Sequence, residues 1–170
     1  MARRCDTASY RALVAAARAA IPELTLTTDL IVGFPGETDA EWNATRSFVQ
    51  EIGFGHIHIF TYSPRQGTKA ARLAGHLPKE TKRARSREIH DMAAQMKATH
   101  LTRQLQRTRP GLWEGDPIAT DDGDLVWQGY TDNYLRVTTT TPASINLENV
   151  IEAVHLIDVV NETLVGKRVR

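Results

Sequence analysis

The chain has 170 residues, 41% of them hydrophobic, with 21 Lys+Arg against 20 Asp+Glu and one cysteine, Cys5. At this length one ordinary domain or two small ones bury roughly 70% of the surface the unfolded chain exposes, so a fold without staples is feasible. A single cysteine excludes an intrachain disulfide, a Cys-rich zinc site and an iron–sulfur cluster held by this chain alone, since each needs several thiolates. The simplest setting is reducing and cytoplasmic. The opening Met1-Ala2-Arg3-Arg4-Cys5-Asp6 lacks the apolar core of a secretory signal, and no stretch approaches the ~18 apolar residues of a membrane span, so no membrane partner is expected.

The net charge of +1 conceals an uneven distribution. Residues 1–64 carry 5 basic and 7 acidic side chains, residues 65–109 carry 12 and 3, and residues 110–170 carry 4 and 10, giving −2, +9 and −6. A basic block of this size is the usual footprint of a polyanion partner, because each Lys or Arg near a phosphate releases counterions. A long solvated helix that happens to be rich in arginine accounts for it equally well.

In chain order, Tyr10, Leu13, Val14, Ala17 and Ile21 recur at helical spacing, with Asp6 or Thr7 as the cap and Pro22 as the stop. Residues 25–33 end in a β-branched apolar run, as expected of a parallel strand covered on both faces. A Gly33-Phe34-Pro35-Gly36 turn follows. Thr38 and Glu41 have the spacing of a capping box, ahead of a helix with Trp42, Thr45, Val49 and Ile52 on one side and Gly53 at its end. Residues 56–62 read as a second strand and residues 63–68 as a loop. The alternation predicts βα units with a parallel sheet, of which two strands are too few to complete a barrel.

From Pro78 to about Arg107 a helical pattern carries a sparse apolar stripe of Ile89, Met92, Met96 and Leu105. Thr108-Arg109-Pro110-Gly111 breaks it and is the expected domain boundary, dividing the chain into residues 1–109 and 110–170. Short strand-like runs follow at 112–113, 125–127, 134–139, 150–157 and 163–165, the texture of a small all-β sandwich or barrel. The expected fold class is therefore α/β followed by small all-β.

Chemistry concentrates at residues 28–38, where two glycines and a proline follow a strand at the end where parallel α/β sheets place their sites. Such a loop either admits a flat ligand against its backbone or serves tight turning alone. Asp29 and Glu37 read as a helix-dipole partner and a first-turn carboxylate rather than acid/base groups. His56 and His58 share one side of a strand, and a pair without further ligands is weak evidence for a metal. Tyr62 and Tyr134 suit either packing or stacking, and Arg136 beside Tyr134 suits contact with nucleic acid. No catalytic residue stands out.

Thr28-Asp29-Leu30-Ile31-Val32-Gly33-Phe34-Pro35-Gly36-Glu37-Thr38, followed by Phe60-Thr61-Tyr62-Ser63-Pro64-Arg65-Gln66-Gly67-Thr68-Lys69-Ala70, closely resembles the second half of the core of the radical S-adenosylmethionine methylthiotransferases. These enzymes insert a methylthio group into tRNA adenosine 37 or into a ribosomal protein. The tail, with Gln128-Gly129-Tyr130-Thr131-Asp132-Asn133-Tyr134-Leu135-Arg136-Val137, is similar to the family's TRAM domain, a small RNA-binding barrel. His58-Ile59-Phe60 and the form of the tail look most like the branch acting on threonylcarbamoyladenosine. The resemblance implies a partial (β/α) barrel with a C-terminal TRAM-type β-barrel, S-adenosylmethionine and [4Fe–4S] clusters as cofactors, and the anticodon region of tRNA as partner. It places Gly33, Phe34, Pro35, Gly36, Phe60, Tyr62 and Ser63 at the adenosine pocket, with Arg3 or Arg4 reaching the methionine carboxylate or the RNA. Arg65 and Lys69 would face substrate phosphates, joined by Arg83, Arg85 and Arg87 of the basic block and by Tyr134 and Arg136 of the tail.

The family's N-terminal domain and its CxxxCxxC loop have no counterpart in these residues, and Cys5 cannot replace three cysteines. The expectation is a C-terminal part of a methylthiotransferase, inactive alone, arising from truncation, a split gene or a late start. A complementary N-terminal half or self-association would cover the open sheet edge. A non-catalytic RNA-binding module is the alternative.

Overall fold

The computed structural model of the chain describes residues 6–169, which form two compact units divided between Lys97 and Ala98. In the first unit α1 (Thr7–Ala20) leads to β1 (Thr27–Val32), α2 (Asp39–Ile52), β2 (His56–Thr61), a one-turn 3-10 helix (Ala70–Arg72) and the greater part of α3 (Lys79–Thr102), whose last residues belong to the second unit. The caps follow from the sequence. The Asp6 carboxylate accepts the Ser9 N–H at 2.7 Å, Thr38 and Glu41 close their capping box, and Gly53 ends α2 in the left-handed region at φ 64°.

β1 and β2 pair in parallel, with Thr27 opposite His56, Asp29 opposite His58 and Ile31 opposite Phe60. The strands are not covered on both faces as the apolar run suggested. Because side chains alternate, Val32 and Ile57 are buried with Trp42, Val49, Ile52, Phe54, Val14 and Ile89 in one core, while Asp29, His56, His58 and Phe60 are exposed on the other side. The apolar stretch supplies one packed face, and polar residues at every second position mark the open one.

The second unit is a closed five-stranded barrel in the order β3-β4-β5-β7-β6, from β3 (Thr108–Ala119), β4 (Leu125–Thr131), β5 (Arg136–Thr141), β6 (Ile151–Val160) and β7 (Thr163–Arg168). Antiparallel β3–β6 pairing closes it, and β5–β7 is its parallel pair. Closure removes the free edges an open sheet would present. Trp113, Trp127, Val137, Val154, Leu156 and Leu164 fill the interior, and the close approach of strands is permitted by glycine. A Cβ on Gly129 would lie against the Leu112 carbonyl, and one on Gly166 against Val154.

Two boundaries differ from the sequence reading. Residues 108–111 are the first residues of β3 rather than a break, because Pro110 sits near a strand start, where Gly111 lies opposite both Thr131 and Glu152. The division falls a dozen residues earlier than 109/110 because Leu101 at the end of α3 is buried in the barrel core, with Leu105 packed against it. No described helix is long and apolar enough to cross a membrane.

Replacing Gly129 with alanine is expected to lower stability by roughly 1–3 kcal/mol or more, the range for forced overpacking, measured by urea denaturation. Each strand of the two-stranded sheet is hydrogen-bonded on one side only, so the isolated chain is expected to self-associate. Light scattering that returns a monodisperse monomer would contradict this.

Candidate functional site

The loop after β1 is built by its own side chains. Gly33 (φ 74°) and Gly36 (φ 84°) adopt left-handed conformations that L side chains rarely take. The Glu37 N–H closes the turn onto the Phe34 carbonyl at 3.0 Å, and its carboxylate reaches back to accept the Gly33 N–H at 3.1 Å. The end of β2 joins the loop through the Tyr62 N–H, which donates to the Val32 carbonyl at 2.8 Å. The rings of Phe34 and Tyr62 meet edge-on with centroids 5.3 Å apart. A third segment approaches where the Gly36 N–H donates to the Gly75 carbonyl at 2.8 Å.

Of the residues expected at the pocket, Gly33, Phe34, Gly36 and Tyr62 are thus brought together, and Pro35 is buried in the same turn. Phe60 is not with them. It lies two residues before Tyr62, opposite Ile31, and is 53% exposed on the open face of the sheet. Ser63 is exposed beyond the strand end, and Arg3 lies outside the described residues, as do Arg4 and Cys5. Tyr62 is buried and its hydroxyl has no hydrogen-bond partner among the described residues, a cost unless a polar group meets it. On the open face, the His56 and His58 rings stand edge to face at 4.5 Å. Among the described residues no group of three or more His, Cys, Asp or Glu is arranged to hold a metal.

The basic block proves heterogeneous. Arg65, Lys69, Arg83 and Arg87 are exposed. Lys69 leads into the 3-10 helix, whose first turn is held by Thr68 donating to the Arg65 carbonyl at 2.8 Å and accepting from the Ala71 N–H. Arg83 and Arg87 are one helical turn apart and share a side of α3. Arg85 must be removed from the phosphate-facing set. It is 5% exposed, its Nη1 donates to Glu37 Oε2 at 2.6 Å and its Nη2 to Asp39 Oδ1 at 2.6 Å, and its guanidinium lies 5.6 Å from the centre of the Trp42 ring. Burial opposes its charge, but the hydrogen bonds to Asp39 and Glu37 outweigh it and raise its pKa further above the ordinary guanidinium value. Charge counting along the sequence cannot separate a cation facing water from one about half a turn away that faces a carboxylate.

On the barrel, the turn after β4 projects Tyr134. The Thr131 hydroxyl donates to Asn133 Oδ1 at 2.6 Å, the Tyr134 N–H donates to the Thr131 carbonyl at 2.9 Å, and Tyr134 takes φ 61°. Tyr134 is 84% exposed. It lines a cleft of about 540 Å³ with Leu112, Tyr130 and Ile151, which is itself 68% exposed. Arg136 lies beside the same cleft, its guanidinium 5.6 Å from the centre of the Tyr130 ring. Tyr130 and Ile151 are the residues the sequence reading did not single out. An aromatic residue two positions from Gln128 on β4, hence on the same outward face, and an apolar residue at the start of β6 were the available signals.

Breaking the Arg85 cluster separates its two carboxylates by burial. Arg85→Gln, which leaves the largely buried Glu37 carboxylate, 13% exposed, without its cation, is expected to cost roughly 3 kcal/mol, the lower end for breaking a buried pair. Asp39→Asn is expected to cost about 1 kcal/mol or less, since the Asp39 side chain is 94% exposed. Urea melts of the two variants measure the difference.

No family model matches the chain. The tRNA-2-methylthio-N(6)-dimethylallyladenosine synthase of Bacillus velezensis is 37% identical to it over 132 residues, covering 78% of this chain and 25% of the relative. The protein of the same name from Chloroflexus aurantiacus is 36% identical over 149 residues, 85% of this chain and 31% of the relative. The threonylcarbamoyladenosine tRNA methylthiotransferase MtaB of Thermotoga maritima is 35% identical over 136 residues, 80% of this chain and 30% of the relative. Relatives named for two different adenosine derivatives thus match to a similar degree, and identity alone does not separate the branches. Aligned over about four-fifths of its own length and spanning about a quarter of theirs, the chain belongs to the tRNA methylthiotransferase family.

Proposed function

We propose that this chain supplies the adenosine-binding loops and the RNA-binding surfaces of a cytoplasmic tRNA methylthiotransferase acting on a modified adenosine at position 37. The observation that carries the reading is the likeness to named methylthiotransferases, which extends over 78% of the chain. In this reading the unit up to Lys97 is the C-terminal part of a radical S-adenosylmethionine barrel and the unit from Ala98 a TRAM-type barrel. The threonylcarbamoyladenosine branch rests on the form of His58-Ile59-Phe60 and of the tail, against relatives of the dimethylallyladenosine branch at 37% identity.

The residues at the β1 and β2 ends fit the adenosyl part of S-adenosylmethionine. The left-handed Gly36 is exposed with open space beside its Cα, whereas Gly33 is buried, and the buried Tyr62 hydroxyl has no partner among the described residues, one that a ligand could provide. Gly33, Phe34, Gly36 and Tyr62 would hold it. When bound, the cofactor supplies an adenosyl group on a sulfonium centre. The chain's own contribution is to orient the nucleoside and shield it from water with the Phe34 and Tyr62 rings. An iron–sulfur cluster does not fit, because Cys5 is the single cysteine of the 170 residues and cannot supply three thiolates.

tRNA is the proposed partner of two surfaces. Arg65, Lys69, Arg83 and Arg87 supply phosphate contacts in the first unit. The Tyr134–Tyr130–Ile151 cleft with Arg136 supplies stacking on a barrel whose sequence carries an acidic excess. A second reading, a non-catalytic RNA-binding module or a half that completes a split enzyme in trans, is favoured by the cysteine count and retains the same two surfaces.

Arg83→Glu with Arg87→Glu is expected to weaken tRNA binding and to flatten its dependence on salt by about one unit of log–log slope for each arginine that neutralises a phosphate. Tyr134→Ala is expected to cost about 1–3 kcal/mol at unchanged salt slope if it stacks on a base. Fluorescence anisotropy with a labelled anticodon stem-loop across a salt series measures both, and unaltered binding in both variants would place recognition elsewhere. Equilibrium dialysis with S-adenosylmethionine tests the nucleoside site.

A further inference from the structure

Two of the basic side chains on α3 turn inward and meet the two loops. Lys82, Arg85 and Ile89 occupy helical positions i, i+3 and i+7 and share one side of the helix. Ile89 is fully buried in the core of the first unit. The Lys82 stem lies over Gly33, where an added Cβ would come within 2.5 Å of Lys82 Cγ and 2.9 Å of Cδ. Beyond it the Lys82 ammonium donates to the Tyr62 carbonyl at 3.1 Å. One turn later, Arg85 Nη1 donates to the Glu37 carbonyl at 3.2 Å and to Glu37 Oε2, the oxygen that also accepts the Gly33 N–H. The glycine at 33 therefore has two roles: it takes a left-handed conformation and it leaves room for the lysine stem.

We propose that Lys82 and Arg85 are positioning residues that tether the Gly33–Glu37 loop and the Tyr62 end of β2, and through that tether set the affinity of the site for an adenosine-bearing ligand. The inference rests on the adenosine reading above and goes beyond it in assigning the control of the site to the third helix. Each residue type is required. An apolar side chain at position 82 would fill the space over Gly33 but leave the Tyr62 carbonyl unanchored. A lysine at position 85 has one ammonium, whereas the guanidinium fork bonds Glu37 and Asp39 through separate nitrogens. The Tyr62 hydroxyl then takes its place from the same tether, since its ring is packed edge-on against Phe34.

The test uses the full chain, with Lys82→Met, which keeps the stem and removes the ammonium, and Arg85→Lys, which keeps the charge and loses the fork. Lys79→Met, an exposed lysine of the same helix, is the control. Amide hydrogen exchange and S-adenosylhomocysteine binding by equilibrium dialysis are read on samples whose circular dichroism shows the fold intact. The expected result is faster exchange at residues 33–37 and 62–63 and an affinity about tenfold weaker in both variants, the scale of one charge-assisted hydrogen bond, with the control like wild type. Exchange unchanged at both loops, or faster exchange with unchanged affinity, would overturn the proposal. Faster loop exchange in the variants of a wild-type chain that takes up no S-adenosylhomocysteine would uphold the tether and remove the adenosine reading of the site.

Discussion

A guanidinium almost entirely out of water holds the first unit's loops in place. Arg85 is stable there because two carboxylates and a main-chain carbonyl of the α2 entry face it and the Trp42 ring covers it. Burying a charge is costly unless it is paired and hydrogen-bonded, so the loop after β1 has little freedom to move away from α3. Glu37 transmits the restraint by accepting from both Arg85 and the Gly33 N–H. The Trp42 indole N–H extends the same arrangement by donating to Glu88 at 2.8 Å, which in turn meets Arg46 at 2.9 Å. α2 and α3 are thereby joined by apolar packing on one side and charged contacts beside it.

The two units solve the edge problem of β-structure in different ways. In the second unit five short strands close on themselves, and the three inward glycines Gly111, Gly129 and Gly166 let strands and side chains approach closely enough to do so. A half-buried ion pair on that barrel, Arg168 with Glu152, is completed by the Trp113 indole N–H donating to the same carboxylate at 3.0 Å. In the first unit two parallel strands leave one face packed and the other open, with Asp29, His56, His58 and Phe60 standing on the open face.

Charge follows the same division. The +9 of residues 65–109 is not one surface, because Arg85 and Lys82 are committed to loops while Arg83 and Arg87 face outward from the same stretch of helix. A helix advances 100° per residue, so neighbours in sequence meet different surroundings. The acidic excess of the barrel is likewise partly spent in pairs, Asp132 with Arg109 and Glu152 with Arg168, leaving Tyr134 and Arg136 beside a cleft with more apolar than charged lining.

Much of the architecture was legible in the linear chain because it depends on local rules. The Thr38–Glu41 capping box, the stop at Gly53, the alternation of helix and strand to residue 61 and the five short strands of the tail are each specified within a few residues. The motif at residues 28–38 likewise located the loop and its resemblance to a family. What the linear chain did not contain is which side of an element finds a partner. The second face of β1, the burial of Arg85, the separation of Phe60 from Tyr62, and the entry of Leu101 into the barrel core depend on residues 40 or more positions away, or on which side of a strand packs. Composition and local pattern determined the elements and the likeness. Tertiary packing alone decided which cations face water and which hold a loop, because the energy of a charge depends on what lies beside it in space rather than in sequence.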